Sequence, residues 1–275
     1  MTQALSTREQ RFHDLLASCG STVVAFSGGV DSAYLAWAAT RVLGARALCV
    51  TAESPSYPDH HRQLARRLAR EFGLRQEVIQ TTEVERPEYR ANPVNRCYYC
   101  KRELYGTLTA LASARDFAFV VDGSNADDRS DYRPGRQAAR EFGVRSQLDE
   151  ADLTKADIRE LSRRAGLPTW DEPASACLSS RIPYHSEVTP EKLRMIERAE
   201  HVIRELGFRV CRVRHHYAAR ARLEIGRDEL PRAFEHGMRE RIVDALRAIG
   251  YQEVAIDPRG YRMGSLNEGV RLHPA

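Results

Sequence analysis

The chain has 275 residues, of which 42% are hydrophobic and 29% are charged, and its formal net charge is +4. These values are ordinary for a globular protein and exclude a disordered chain, a fibrous repeat and a strongly basic nucleic-acid-binding domain. No apolar run has the length of a membrane span, no signal peptide is evident, and six cysteines do not form a disulfide framework, so we expect a cytoplasmic protein.

Residues 22–148 alternate between short apolar runs and amphipathic runs. This alternation predicts an α/β fold, in which helices cover both faces of a parallel sheet and the ligand lies at the carboxyl edge of the strands. The predicted strands are 22–26, 47–52, 76–81, 117–122 and 144–148, and the predicted helices are 58–72, 97–113 and about 155–165.

The pattern changes after an irregular stretch at 168–187. Thr189-Pro190-Glu191 is typical of a helix start, and apolar residues recur at helical spacing until Gly207. We therefore predict a domain at 1–170, an active-site loop or linker at 171–187 and a small α+β domain at 188–275. The elements predicted in the last part are strands 209–215, 220–225 and 251–256, and helices near 228–236 and 239–249.

The segment VVAFSGGVDSAYLAWAA joins the first predicted strand to a helix. Its glycines let a ligand approach the backbone, and its hydroxyls and helix N–H groups suit phosphate oxygens; a capped turn without a ligand is the alternative. The spacing fits neither a Walker A loop nor a dinucleotide-binding loop. SGGVDS resembles the PP-loop of the ATP pyrophosphatase superfamily. This implies ATP bound by Ser27, Gly28, Gly29, Asp31 and Ser32, with Asp31 also holding Mg²⁺.

The segment VVDGSNADDRSDYRPG also follows a predicted strand. Its acidic residues, Asp128 among them, could approach ATP or its metal ion, with Gly123 and Asn125 providing tight turns. A solvated loop without a ligand explains the same composition. Both interpretations stay open.

The segment NPVNRCYYCK places Cys97 and Cys100 at a helix start that Asn95 could cap. Helical spacing puts both thiols on the apolar stripe, so two core cysteines are one interpretation. A helix N-terminus also lowers the pKa of a thiol and makes it a better ligand or nucleophile. No second C-x-x-C completes a zinc site, but together with Cys177 the pair could hold an iron–sulfur cluster.

The stretch DEPASACLSSRIPYH, residues 171–185, has neither helical nor strand periodicity. Cys177 is therefore predicted to lie on a flexible loop of small residues. Its thiol could be a nucleophile, a metal ligand or filler. Arg181 could lower the pKa of this thiol and stabilise an oxyanion.

Alternation in VCRVRHH puts Arg212 and Arg214 on one face of a predicted strand. If the strand ARLEI pairs with it, this face is rich in guanidinium groups and suits phosphate or carboxylate. Glu200 falls on the apolar stripe of the preceding helix and needs a partner, which this face could supply. An ordinary solvent-facing strand is the alternative.

Together with SGGVDS, four segments resemble the LarE-type ATP-dependent sulfur transferases, over about residues 10–270: TAESPSYP, NPVNRCYYCK, DGSNADDRSDYRPG and EPASACLSSRIPY. The resemblance implies adenylation of pyridinium-3,5-biscarboxylic acid mononucleotide and its conversion to a thiocarboxylate for the nickel-pincer cofactor of lactate racemase. It adds Ser54 to the nucleotide-binding residues. The residues that it assigns to substrate handling are Ser180, Arg181, Glu200, Arg212 and Arg214.

The resemblance implies two sources of sulfur. In one form Cys177 attacks the acyl-adenylate, and cleavage of its Cβ–S bond leaves dehydroalanine, so each chain delivers one sulfur atom. In the other form Cys97, Cys100 and Cys177 hold a [4Fe-4S] cluster whose open iron carries an exchangeable sulfide. Because both Cys97 and Cys100 are present, the sequence favours the cluster form.

Two other kinds of protein share part of this pattern. A tRNA thiolase has the PP-loop and the C-x-x-C pair but needs a stronger basic surface, so nucleic acid is not an expected partner. A nucleotide-sensing scaffold would bind ATP without releasing pyrophosphate. The family resemblance further implies a homo-oligomer, and we expect transient contact with other proteins of cofactor biosynthesis.

Overall fold

Two β-sheets, one parallel and one mixed, organise the chain. The computed structural model describes residues 3–130, 133–173, 176–262 and 264–267, and within these residues no helix has the length and apolar character needed to cross a membrane. The strands are β1 Thr22–Ala25, β2 Ala47–Glu53, β3 Gln76–Gln80, β4 Phe119–Val121, β5 Cys211–His216, β6 Arg220–Ile225 and β7 Glu253–Ile256. The helices are α1 Gln3–Ser18, α2 Val30–Leu43, α3 Asp59–Glu71, α4 Pro87–Arg90, α5 Arg96–Ala114, α6 Gly135–Glu141, α7 Gln147–Glu150, α8 Lys155–Arg164, α9 Pro190–Glu205, α10 Leu230–Ala233 and α11 Met238–Ile249.

The first sheet is parallel, has the strand order β3-β2-β1-β4, and is covered on both faces. Successive residues of a strand point to opposite faces. Val24 packs in a cluster with α1, α2, α3 and α8, whereas Val23 packs with α5 and α6. Burial on both faces explains why β1 and β2 are mostly apolar, whereas the edge strand β3 is more polar and more exposed. The predicted α/β fold is confirmed.

The strand predicted at 144–148 is wrong. Arg145 alone forms a bridge, parallel to Val121, and α7 begins two residues later. The Ser146 hydroxyl donates to Asp122 Oδ1 over 2.7 Å. This contact fixes the backbone beside β4 at the point where it turns into the helix, so pairing stops after one residue.

The second sheet has the order β5-β6-β7, with β5 antiparallel and β7 parallel to β6. Val213 and Leu223 face a core that includes Ile203 of α9 and Leu246 of α11. The small α+β unit was therefore predicted correctly. A helix was expected near 228–236, but only the short α10 forms there. It ends at Ala233, and the chain turns at Gly237, where φ is +81°, before α11 begins.

A smaller apolar cluster connects the two parts of the chain. Val84 and Tyr89 from the first part pack with Leu178, Ile182 and Ile196 of α9. This cluster holds the segment that follows Cys177 against both parts. The division of the chain at residues 170 and 187 stays a prediction.

Candidate active site

The carboxyl ends of the four parallel strands lead into the candidate site. β1 leads to residues 27–32, β2 to residues 54–57, β3 to a short 3₁₀ helix at Glu83–Glu85 and β4 to residues 122–128. Ligands of open α/β sheets bind at this edge. The fold thus brings the predicted nucleotide-binding segments together.

The loop after β1, which we call the phosphate loop (residues 27–32), has a backbone that only glycine allows at its second position. Gly28 has φ of +71°, and a Cβ atom there would lie 3.0 Å from the Ala65 nitrogen and 3.1 Å from the His61 carbonyl oxygen. The Ser27 and Ser32 hydroxyls lie 3.0 Å apart at the mouth of α2. Gly29, the N-cap residue of α2, has no side chain that could accept a hydrogen bond from the first N–H groups of the helix. These groups are therefore available to phosphate oxygens.

Asp31 of the phosphate loop is paired with Lys155, which the sequence analysis missed. Lys155 Nζ lies 2.5 Å from Asp31 Oδ2, whereas Asp31 Oδ1 is buried and has no hydrogen-bond partner within the described part of the chain. Burial and the nearby charge of Asp31 raise the pKa of Asp128. The carboxylates of Asp31 and Asp128, the first of which has an oxygen without a hydrogen-bond partner among the described residues, fit Mg²⁺. The remaining ligands of the ion would be phosphate oxygens.

The loop after β4 is held by its own hydrogen bonds beside the phosphate loop. Asn125 Oδ1 accepts from the Asp127 N–H over 3.0 Å, and Asp128 Oδ2 accepts from the Asn125 N–H over 3.1 Å. A Cβ atom on Gly123 would lie 3.0 Å from the Ser32 nitrogen. The loop is therefore a capped turn that also packs on the phosphate loop. Its residues 131 and 132 lie outside the described part.

Ser54 points to a buried carboxylate that the sequence did not reveal. Its hydroxyl donates to Glu83 Oε1 over 2.5 Å, and the Ser56 hydroxyl donates to the same oxygen over 2.7 Å. Glu83 is only 2% exposed. Burial, followed by the charge of Glu83, raises the pKa of the Cys100 thiol.

Cys177 is half-buried and precedes a short 3₁₀ helix, Leu178–Arg181, that is held from several sides. The first N–H of this helix donates to the Ser56 carbonyl over 2.8 Å, and the Ser179 hydroxyl lies 2.6 Å from the Tyr89 hydroxyl. The buried Asn92 amide donates to backbone carbonyls of the segment that follows. The predicted flexible loop is thus wrong for residues 178–182. Residues 174 and 175 lie outside the described part.

Arg181 shapes the backbone at Cys177, and its charge is matched by Glu200. Its Nε and Nη2 atoms lie 2.8 and 3.0 Å from the two carboxylate oxygens, and its Nη1 donates to the carbonyls of Ala176 and Cys177 over 2.7 and 3.0 Å. Burial opposes the charge of Glu200, but Arg181 outweighs this effect and lowers the Glu200 pKa to about 2. The expected partner of Glu200 was the arginine face of β5, but the paired arginine is Arg181. β5 contributes the backbone N–H of Val213 at 3.1 Å and, more weakly, the charge of Arg212.

Arg212 and Arg214 leave β5 on the same face, as predicted, but both are buried. Arg214 donates to Glu224 of β6 over 2.7 and 3.0 Å and to the Ser180 carbonyl over 2.9 Å. It therefore attaches the 3₁₀ helix Leu178–Arg181 to the second sheet. Arg212 packs over the Tyr261 ring at 5.1 Å. Burial, followed by the charge of Arg181, lowers the Arg212 pKa, and the charge of Glu200 opposes this change.

The cysteine pair differs from expectation in two ways. Cys97 is exposed and Cys100 is half-buried, so the pair does not lie on a common buried stripe. The pKa of each thiol is raised, with desolvation as the largest cause, whereas the position at a helix N-terminus was expected to lower it.

Arg96, also missed by the sequence analysis, is a buried cation beside the cysteines. It is 3% exposed, its Nη1 donates to Asn92 Oδ1, and its Nε is buried without a partner among the described atoms. Burial opposes its charge, but the sulfur atoms of Cys177 and Cys97 outweigh this and raise the Arg96 pKa. Where the structure is described, no carboxylate forms an ion pair with it.

Cys97, Cys100 and Cys177 lie within mutual electrostatic reach, and three thiolates match the donor chemistry of a [4Fe-4S] cluster. In the described part of the chain, no three cysteine, histidine or acidic side chains are close enough to hold a metal ion together. The charge of the buried Arg96 acts on Cys97 and Cys177.

Comparison with known proteins finds relatives that span almost the whole chain. A pyridinium-3,5-bisthiocarboxylic acid mononucleotide synthase of Lactiplantibacillus plantarum is 34% identical over 96% of this chain and 95% of its own. An uncharacterized protein of Synechocystis sp. is 41% identical over 96% of this chain and 98% of its own. A glutamine-hydrolyzing GMP synthase subunit of Methanopyrus kandleri is 24% identical over 72% of this chain and 67% of its own. No model of a known protein family matches.

Proposed function

Since the chain belongs to the family of pyridinium-3,5-bisthiocarboxylic acid mononucleotide synthases, we propose that it is an ATP-dependent sulfurtransferase acting on pyridinium-3,5-biscarboxylic acid mononucleotide. One observation carries the proposal: two consecutive residues contact both halves of the site. The Tyr57 hydroxyl donates to the Ser27 carbonyl over 2.9 Å, and the Ser56 carbonyl accepts from the N–H that follows Cys177 over 2.8 Å. Residues 56 and 57 thus contact both the phosphate loop and the segment that carries the Cys177 thiol.

The first step is adenylation of a substrate carboxylate. The phosphate loop binds the triphosphate, Lys155 lies at its mouth, and Asp31 and Asp128 would hold Mg²⁺, which neutralises phosphate charge when bound. A carboxylate oxygen attacks the α-phosphorus, and the bond to the bridging oxygen breaks. Pyrophosphate leaves, and the substrate becomes an acyl-adenylate.

The second step transfers sulfur from Cys177. The thiolate attacks the acyl carbon, AMP leaves with the electron pair of the broken C–O bond, and a thioester forms. A base then removes the Cα proton of Cys177, and the Cβ–S bond breaks. The products are a thiocarboxylate on the nucleotide and dehydroalanine in the chain, so one chain delivers one sulfur atom.

Iron–sulfur chemistry stays the alternative source of sulfur. Cys97, Cys100 and Cys177 would be its ligands, and the sulfide would then come from outside the chain. The homo-oligomer and the contacts with other proteins of cofactor biosynthesis likewise stay predictions.

The experiment combines the purified protein with ATP, Mg²⁺ and the biscarboxylate mononucleotide, and measures pyrophosphate, AMP and thiocarboxylate by chromatography and mass spectrometry. We expect all three products from the wild type. Cys177→Ser should still release pyrophosphate but form no thiocarboxylate. Absence of substrate-dependent pyrophosphate release would exclude this substrate, and tRNA binding that weakens with salt would favour a tRNA thiolase instead.

A further inference from the structure

Glu83 is a buried carboxylate that the proposed chemical steps do not use. It is 2% exposed and begins the short 3₁₀ helix that follows β3. In the described part of the chain, its carboxylate accepts from the hydroxyls of Ser54 and Ser56 and forms no ion pair with a cation. Burying a carboxylate without a cation costs free energy, so this position lowers the stability of the protein. Such a cost is typical of a residue with a role in the site.

The two hydroxyls belong to a tight turn, residues 54–57, which we call the Ser54 turn. The Ser54 carbonyl accepts from the Tyr57 N–H over 3.1 Å, and Pro55 lies at the second position, where its fixed φ suits the turn. The Ser54 hydroxyl also accepts from the Ser56 N–H over 3.2 Å. One carboxylate oxygen, Glu83 Oε1, accepts from both hydroxyls over 2.5 and 2.7 Å. It therefore fixes the first and third residues of the turn together.

The Ser54 turn contacts each half of the site through one hydrogen bond. The Tyr57 hydroxyl donates to the Ser27 carbonyl of the phosphate loop over 2.9 Å. The Ser56 carbonyl accepts from the Leu178 N–H, directly after Cys177, over 2.8 Å. The position of the thiol relative to the phosphate loop therefore depends on this turn.

The 3₁₀ helix of Glu83 also contacts the Cys177 segment directly. Val84, the next residue, packs in the same apolar cluster as Leu178. The carboxylate that holds the turn and the apolar side chain beside it thus act on one place from two sides.

We propose that Glu83 is a positioning residue that keeps the phosphate loop and Cys177 at a fixed separation, an inference that rests on the proposed function. An acyl-adenylate reacts with water as well as with a thiol, so sulfur transfer requires the thiol to be in place when the intermediate forms. Hydrogen bonds to a carboxylate are about twice as strong as those to a neutral acceptor. Glu83 therefore holds the turn more firmly than an amide would.

The first test counts products in Glu83→Gln, which keeps the shape of the side chain and removes its charge. With substrate below the protein concentration, the wild type should form thiocarboxylate and AMP in equal amounts. In Glu83→Gln the ratio of thiocarboxylate to AMP should fall about tenfold, the factor for a weakened charge-assisted hydrogen bond. The missing product returns as free carboxylate, because water attacks the acyl carbon and AMP leaves.

The ratio separates a positioning role from a loss of stability. A smaller amount of folded protein lowers both products alike and leaves their ratio unchanged. Glu85→Gln, exposed in the same 3₁₀ helix, is the matched control and should keep the wild-type ratio.

Tyr57→Phe is a second variant, which leaves Glu83 and the turn in place. It removes only the hydroxyl that donates to the Ser27 carbonyl, so the turn loses its link to the phosphate loop. The product ratio should fall here as well. Tyr217→Phe, at a side chain that is 87% exposed, should keep the wild-type ratio. A wild-type ratio in Glu83→Gln, or in Tyr57→Phe, would overturn the proposal.

Hydrogen exchange of the Leu178 amide tests the same link without substrate. In Glu83→Gln this amide should exchange about tenfold faster, because the Ser56 carbonyl that accepts it is held less firmly. The Val24 amide in the parallel sheet should exchange as in the wild type. Equal acceleration of both amides, or none at Leu178, would contradict the proposal.

The proposal and the function fail separately. If thiocarboxylate forms and Glu83→Gln keeps the wild-type ratio, the role of Glu83 is wrong and the function stands. If the wild type forms no thiocarboxylate but the Leu178 amide alone exchanges faster in Glu83→Gln, the function is wrong and the control of the Cys177 segment by Glu83 stands.

Discussion

Arg181 and Glu200 form an ion pair in which both side chains are withdrawn from water, with exposures of 0% and 1%. The arginine comes from the segment of Cys177 and the glutamate from α9. Through this pair, the backbone of the nucleophile is attached to the small α+β unit. A charge pair in such a place stabilises only while both partners are present.

Replacing Glu200→Gln should destabilise the protein strongly. The change leaves the Arg181 charge buried without its carboxylate, for which the expected loss is about 3 kcal/mol or more. Urea unfolding measures it. Glu191→Gln, exposed on the first turn of the same helix, is the control and should change stability by less than about 1 kcal/mol. Equal effects of the two changes would show that the pair contributes no more than a surface contact.

Stability should also depend on pH through Glu200. Its pKa is lowered from 4.5 to about 2 in the folded state, so its contribution is complete above pH 4.5 and is lost as the pH falls towards 2. The corresponding loss is about 3 kcal/mol. Chemical unfolding at pH 5 and pH 3 measures this slope. Glu200→Gln should have a shallower slope than the wild type, and an equal slope would assign the acid sensitivity to other carboxylates.

The backbone of the phosphate loop should tolerate no side chain at its second position. Gly28 and Gly20 have nearly the same φ, +71° and +70°, but a Cβ atom at Gly28 meets backbone at 3.0 Å whereas at Gly20 nothing lies within 4 Å. Gly20→Ala should therefore cost only the conformational penalty, about 1 kcal/mol, and leave ATP binding unchanged. Gly28→Ala should cost more and abolish ATP binding by calorimetry. Intact ATP binding in Gly28→Ala would exclude this loop as the nucleotide site.

The buried cation Arg96 should support the chemistry of Cys177. It lies in electrostatic contact with Cys177 and Cys97, and a neighbouring cation stabilises a thiolate. In Arg96→Gln we expect both the alkylation of Cys177 by iodoacetamide at neutral pH and thiocarboxylate formation to slow by about tenfold. Arg102→Gln, exposed on the same helix, should react as the wild type. Loss of product without slower alkylation would assign Arg96 to substrate binding instead.

The fold and the phosphate loop were predictable because their signals are local. The alternation of apolar strands and amphipathic helices can be recognised from residues that are close in sequence. A glycine pair between a strand and a helix likewise indicates a tight turn without reference to distant residues. The mistaken strand at 144–148 shows the limit of this approach. Whether Arg145 continues a strand depends on β4 and Asp122, more than twenty residues away.

The missed residues have partners that are distant in sequence. Lys155 pairs with Asp31, 124 positions earlier, and the buried charge of Arg96 is apparent only once Cys177 is placed beside it. The prediction of a flexible loop after Cys177 was wrong for the same reason. Small residues without periodicity indicate mobility, but here their backbone and hydroxyl groups find buried partners at Ser56 and Tyr89.

The mass of the intact chain after one round of reaction tests the central claim, that Cys177 gives up its sulfur. The protein, kept anaerobic, is incubated with ATP, Mg²⁺ and the biscarboxylate mononucleotide, and then analysed whole and as peptides. We predict a chain lighter by one H₂S, with the loss at Cys177 and equal in amount to the thiocarboxylate formed. Thiocarboxylate that accumulates beyond one per chain, with the mass of Cys177 unchanged, would contradict the account and show that the sulfur comes from outside the chain.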